Sequence, residues 1–180
     1  MFSPAALALR DRIFSLEEDI SVTSEEFNAA WPLVSCVYSV RTTKSQRNGE
    51  VLMKGGECRL KKSRVSSTSR PLDELQSGKR RPGTNRRPAD QCQVTFRIDH
   101  DLTTGYVKMR RTNKDGSLHT HTMQASFDVK QPEILREICR EEKKKGLPTA
   151  QILHSIRERA GEGASGLKEI GVDTLKWYAP

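Results

Sequence analysis

The residues of this 180-residue chain with the clearest chemical potential are two histidines and two cysteines. His119 and His121 stand one residue apart in the segment GSLHTHTM, residues 116–123. Cys58 and Cys92 lie upstream, with 33 residues between them and 26 between Cys92 and His119. Neutral imidazole and thiolate are the donors that a tetrahedral zinc ion takes, with sulfur at about 2.3 Å and nitrogen at about 2.0 Å. The spacing is not the close Cys-x-x-Cys pairing of ordinary zinc fingers, so distant elements must bring the four together. Without that, the residues are two buried thiols and two surface imidazoles.

The elements that would position them are legible as pattern. LVSCVYSVR (33–41) is β-branched and aromatic, which predicts a first strand. An Asn-Gly turn at 48–49 then predicts a return strand over 50–60 that ends near Cys58. CQVTFRID (92–99), opened by Cys92, alternates Val94, Phe96 and Ile98 against Gln93, Thr95 and Arg97. HDLTTG turns, YVKMRR (106–111) makes a fourth strand, and the His-x-His element follows. Alternate strand residues share a face, and three successive strand ends can meet at one end of an antiparallel sheet.

Around this sheet the pattern is helical. Residues 5–20 predict a short helix, and TSEEFNAAW a second, with Thr23 and Glu26 in capping-box spacing and Pro32 discouraging continuation. After residue 130, Ile134, Leu135, Ile138 and Cys139 form one apolar stripe, and Ile152, Leu153 and Ile156 another. The expected class is therefore α+β: a four-stranded antiparallel sheet with a Cys-Cys-His-His site, N-terminal helices and a C-terminal helical extension. We divide the chain into an N-terminal helix (1–23), the sheet domain (24–125) and a helical tail (126–180). Residues 63–90, polar and rich in Pro, Gly, Ser and basic groups, read as a flexible insertion. Cys36 and Cys139 are expected in the core, His100 in a solvated turn, and His154 in a structural role beside a helical stripe.

Charge narrows the function. The net charge is +8. Residues 1–40 hold two Lys/Arg against six Asp/Glu, residues 41–114 nineteen against seven, and residues 115–180 ten against ten. The positive excess thus sits in the middle third, the footprint of a polyanion-binding surface. Only Phe96 and Tyr106 supply aromatic rings there, so recognition of single strands by base stacking is poorly provided for. No apolar run reaches membrane-spanning length, and four cysteines are too few for a disulfide framework, which points to a soluble, intracellular protein. No nucleophile motif, phosphate-binding glycine loop or His-Glu-x-x-His helix occurs, so the chain does not read as an enzyme.

Taken in order, YSVRTTKSQRNGE, GECRLKKSRV, DQCQVTFRID and SLHTHTM resemble the WRKY/GCM zinc fold. They are most similar to the FAR-type domain of far-red-response transcription factors and Mutator-like transposases. The resemblance covers residues 24–123; GLPTAQILHSI and GVDTLKWYAP match more weakly the helical connector before a transposase catalytic domain. Thr120 replaces the asparagine between the histidines, and the WRKYGQK signature is absent. No RNase H-like acidic set follows, so transposition is not expected of this polypeptide.

The resemblance implies one structural Zn2+ held by Cys58, Cys92, His119 and His121, and a sheet edge that enters the major groove of double-stranded DNA. The base-reading residues map to Arg41, Thr42, Lys44 and Arg47. Lys61, Lys62 and Arg64, with Lys79, Arg80, Arg81, Arg86 and Arg87 of the KRRPGTNRR tract, would meet phosphates, and the tract also reads as a nuclear localisation signal. The expected role is a nuclear transcription regulator or transposase-derived protein. The alternatives are a protein-interaction module on the same fold, docking through the helical tail, and a general RNA or polyanion binder.

Overall fold

The computed structural model describes residues 2–61, 91–113 and 115–160. The expected insertion at 63–90, with Lys62, Arg64, Lys79, Arg80, Arg81, Arg86 and Arg87, lies outside them, as does the closing segment LKEIGVDTLKWYAP.

Helix α1 (Pro4–Ser15) begins with Ser3 accepting from the Ala6 N–H and with Pro4 in the first turn, where its missing N–H costs nothing. Its end corrects the expected helix over 5–20. Leu16, at φ 45°, terminates α1, and Ile20–Thr23 form a strand, β1. β1 pairs antiparallel with Tyr106–Arg111, setting buried Ile20 opposite buried Met109. The sheet therefore has five strands rather than four. Four residues of alternating Ile20 and Val22 are too short a signal to separate from the helix before them.

Thr23 ends β1 and caps α2 (Ser24–Val34). Its hydroxyl accepts from the Glu26 N–H, and the Glu26 carboxylate accepts from the Thr23 N–H, a reciprocal capping box. The expected first strand over 33–41 is also corrected. α2 runs through Pro32 to Val34, and β2 begins only at Tyr38 (Tyr38–Gln46). Pro32 sits near the helix end, so the ring removes a single N–H donor. Burial of Leu33 and Val34 holds the last turn. Cys36, Val37 and Tyr38 are all buried because they cross from helix to sheet through a turn, which is why strand alternation fails there.

The hairpin at the Asn-Gly signal forms as expected. β2 pairs with β3 (Val51–Cys58) across Arg47–Gly49, where Arg47, Asn48 and Gly49 have φ of 50°, 54° and 103°. β3 pairs with β4 (Thr95–Asp101) and β4 with β5 (Tyr106–Arg111), giving the order β1-β5-β4-β3-β2, all antiparallel. His100 thus lies within a strand, not a solvated turn. Its Nε2 is 2.7 Å from the Ser24 hydroxyl, which also donates to the Gly105 carbonyl at 2.8 Å.

One sheet face, with Phe96, Ile98, Val107 and Met109, packs on Ile13, Leu16, Phe27, Ala30 and Val34 of the N-terminal helical segment and on Phe127 of α3 (Met123–Val129). A second apolar cluster joins Ala6 and Leu33 to Leu135, Ile138 and Cys139 of α4 (Glu133–Lys144) and to Ile152, Leu153 and Ile156 of α5 (Thr149–Ala160). Cys36 and Cys139 are core residues, as expected, and burial pushes the Cys36 thiol up to about 12. His154 is exposed and meets Glu158 at 3.2 Å, so it belongs to the solvent face of α5, not to its stripe. The stripe itself is buried in this second cluster, chiefly against α4.

Candidate metal centre

Cys58, Cys92, His119 and His121 converge at one end of the sheet, each offering one ligand atom, with all four atoms within 4.8 Å of one another. Cys58 is the last residue of β3. Its N–H donates to the Val94 carbonyl at 2.8 Å, and its sulfur accepts from the Leu60 N–H at 3.4 Å. Cys92 lies three residues before β4 rather than opening it. Both thiols are buried; both imidazoles are half-buried.

The histidines occupy not a strand end but an extended segment between β5 and α3 that makes no sheet pairing. Period-2 alternation survives there, so both rings turn inward while Thr120 turns out. The Thr120 hydroxyl donates to the Gln91 carbonyl, tying the histidine segment to the residue before Cys92. Thr122 then caps α3 through the Ala125 N–H at 3.2 Å.

Hydrogen bonds on the far side of each ring decide which nitrogen faces the cluster. The Tyr38 hydroxyl is 2.6 Å from the Ile13 carbonyl, which can only accept, so Tyr38 donates there. His119 Nε2, 3.2 Å from the same oxygen, must then supply the N–H, leaving the Nδ1 lone pair directed at the Cys92 sulfur at 3.2 Å. His121 has the other tautomer. Its Nδ1 is 2.9 Å from the Thr122 carbonyl and 3.4 Å from the Ser126 hydroxyl, so Nδ1 carries the proton and Nε2 faces Cys58 at 3.2 Å.

Two nitrogen lone pairs, His119 Nδ1 and His121 Nε2, then approach to 3.0 Å beside two sulfurs. Four converging donors repel unless a positive charge sits among them. Around a tetrahedral zinc the N···N edge is about 3.3 Å and the S···N edge about 3.5 Å, from bond lengths near 2.0 and 2.3 Å. The three observed edges would need to open by only a few tenths of an ångström, in a set whose four ligand atoms all lie within 4.8 Å of one another. The four residues are thus close enough, and of the right chemistry, to bind a metal ion.

Cys92 is held far below the ordinary thiol range chiefly by its hydrogen bond with the Cys58 thiol. The same bond and burial push Cys58 up. At His121 burial works against protonation, but hydrogen bonds to Cys92 and the Thr122 carbonyl outweigh it and raise the pKa. A divalent cation would compete with a proton for the His121 nitrogen that faces the sulfurs.

The residues singled out for DNA are dispersed differently. β2 is the outer strand of the sheet, and from Val40 onward it is exposed. Arg41 is the extra residue of a bulge between Val40 and Thr42. Its guanidinium holds Glu57 at 2.7 and 2.9 Å. Thr42, Lys44 and Arg47 are exposed along the same edge and its turn, and Lys44 and Arg47 make no ion pair among the described residues. Lys61 follows β3 just beyond Cys58, half-buried.

Sequence pattern did not single out Tyr38, Ser126 or Phe14, whose ring stacks on His119 at 5.0 Å and 8°. Aromatic residues in such positions read as core, and nothing in their spacing marks a hydrogen bond to a ligand. No protein-family model, curated protein or solved structure matches the chain.

Proposed function

We propose that the chain is a zinc-stabilised module that binds double-stranded DNA through the β2 edge, similar in design to WRKY/GCM-type domains. In this reading it acts in the nucleus, within a transcription regulator or transposase-derived protein, and is not an enzyme. The observation that carries the reading is a juxtaposition. A long, exposed edge strand bears Arg41, Thr42 and Lys44, ends in a turn bearing Arg47, and starts at Tyr38 beside the Cys2His2 cluster.

A two-stranded ribbon fits the major groove, and an arginine at its tip has the fork geometry for guanine O6 and N7, worth about 1–3 kcal/mol of discrimination. Zinc is favoured over other metals by the mixed sulfur and nitrogen donors and by four protein ligands, which close a tetrahedral shell as structural sites do. A closed shell leaves no position for substrate. Lys61 and the basic residues at 62, 64, 79–81, 86 and 87 would add phosphate contacts. The alternative of docking through the helical tail has less support, because Ile152, Leu153 and Ile156 are already buried.

The test is selection from a random duplex library with the zinc-loaded chain, followed by anisotropy titrations at several salt concentrations. Arg47→Ala should relax specificity at one or two positions, and Lys44→Ala should weaken binding evenly and flatten the salt slope by about 1. No enriched sequence, together with indifference to both substitutions, would refute sequence-specific recognition by this edge.

A further inference from the structure

Helix α1 stands before the sheet domain in the chain, yet it reaches the metal centre. The Ile13 carbonyl belongs to its last turn, where helix carbonyls have no intrahelical partner. It accepts from the Tyr38 hydroxyl at 2.6 Å, and that oxygen accepts in turn from His119 Nε2 at 3.2 Å. Phe14, the next residue, stacks on the His119 ring at 5.0 Å and meets His121 edge-on at 5.8 Å. Tyr38 is itself fixed on both flanks, by Trp31 at 5.8 Å and by Phe96 at 4.7 Å, and is almost fully buried.

We infer that Tyr38 is a positioning residue for the metal ligand His119, and that through it the Ile13 carbonyl makes helix α1 part of the metal's outer shell. This rests on the metal reading above and deepens it. A ligating imidazole binds well only when its other nitrogen donates to a fixed acceptor, which sets both the tautomer and the ring plane. For His121 the acceptor is local, the Thr122 carbonyl. For His119 it is relayed across 81 residues of sequence to Tyr38, and from Tyr38 to Ile13. The Tyr38 hydroxyl acts both as acceptor and as donor, so its loss unpairs a ring N–H and a helix carbonyl together. Metal affinity and the docking of α1 are then one linked quantity.

The test compares the full chain with Tyr38→Phe, which keeps the aromatic stack and removes only the hydroxyl. Ile98→Val serves as a packing control on the same sheet face. Zinc affinity is measured by competition with a chromophoric chelator, and the imidazole nitrogens of the zinc-loaded chain are observed by long-range 1H–15N NMR. The expected result is a loss of affinity of about 10–100-fold in Tyr38→Phe, with Ile98→Val within about threefold of wild type. In the wild type, His119 should be metal-bound at Nδ1 and protonated at Nε2, and His121 the reverse. Zinc bound equally well by Tyr38→Phe would overturn the inference and leave the metal reading standing. So would His119 ligated through Nε2 in the wild type, an observation that needs no variant to fold. Absence of zinc binding by the wild type would instead overturn the metal reading itself.

Discussion

Two adjacent glycines in β3 make a sharp test of how the edge strand is held. At Gly56 an added Cβ would run into the Ser39 backbone carbonyl and two atoms of the Phe96 ring. Ser39 belongs to the neighbouring strand, and Phe96 is 2% exposed, so neither can step aside without moving β2 or the core. At Gly55 the nearest atom is the Thr42 hydroxyl at 2.8 Å, an exposed side chain that can rotate. Overpacking against fixed neighbours costs about 1–3 kcal/mol, and a backbone clash places Gly56→Ala at the upper end. Gly55→Ala should cost less than about 1 kcal/mol, within the range of surface substitutions and rotamer adjustment. The difference of about 2 kcal/mol is a roughly thirty-fold change in the folding equilibrium. Urea unfolding of the zinc-loaded chains, followed by Trp fluorescence, measures it directly. The same distortion reaches Cys58 two residues on, so Gly56→Ala should also bind zinc more weakly. Equal stability of the two variants, or a less stable Gly55→Ala, would refute the register assigned to β2 and β3.

Other outcomes follow from single contacts. Neutralising Glu57 (Glu57→Gln) releases the exposed Arg41 guanidinium and should tighten duplex DNA binding by up to about fivefold, the range of an exposed ion pair; unchanged affinity would show that Arg41 takes no part. Ile156→Ala, cut from a fully buried site, should cost about 2–5 kcal/mol by thermal or urea unfolding, whereas a residue on a free docking face would cost almost nothing. The Glu26 carboxyl is held below its ordinary value first by the Thr23 N–H and then by the Thr23 hydroxyl. Its folded pKa is depressed, so its contribution is present above the unfolded carboxylate pKa and is lost as pH falls through the folded one. The stability gap between wild type and Glu26→Gln should therefore be open at neutral pH and close in acid; a gap that widens in acid contradicts the capping box.

Chemistry was more legible than geometry. The Cys58, Cys92, His119, His121 set could be read from residue type and its place beside the strands, although only Cys58 ends one. The Asn-Gly hairpin, β5 and the two stripes of α4 and α5 were equally readable, since turn chemistry and long periodicity act locally. What escaped depended on tertiary partners. β1 has only four residues and exists because Met109 and Val107 await Ile20 and Val22. Pro32 looked like a stop, yet it sits where one lost donor is outweighed by burial of the final helical turn. His100 looked solvated among aspartates, but Ser24, 76 residues away, meets its ring. His154 looked structural by its place in the chain, although the helix turns it toward water. Tyr38 was readable as a strand residue and not as the partner of His119, because the hydroxyl's two bonds come from α1 and from the segment before α3.

We propose that Cys58, Cys92, His119 and His121 hold one zinc ion in a closed tetrahedral shell. X-ray absorption on the purified full chain, with zinc stoichiometry measured on the same samples for wild type, Cys92→Ser and His121→Ala, tests it most directly. The expected result is one zinc per wild-type chain, with two sulfurs at about 2.3 Å and two nitrogens at about 2.0 Å, and loss of tight binding in both variants. A well-folded wild type that takes up no zinc, or a shell built mainly of oxygen, would contradict it.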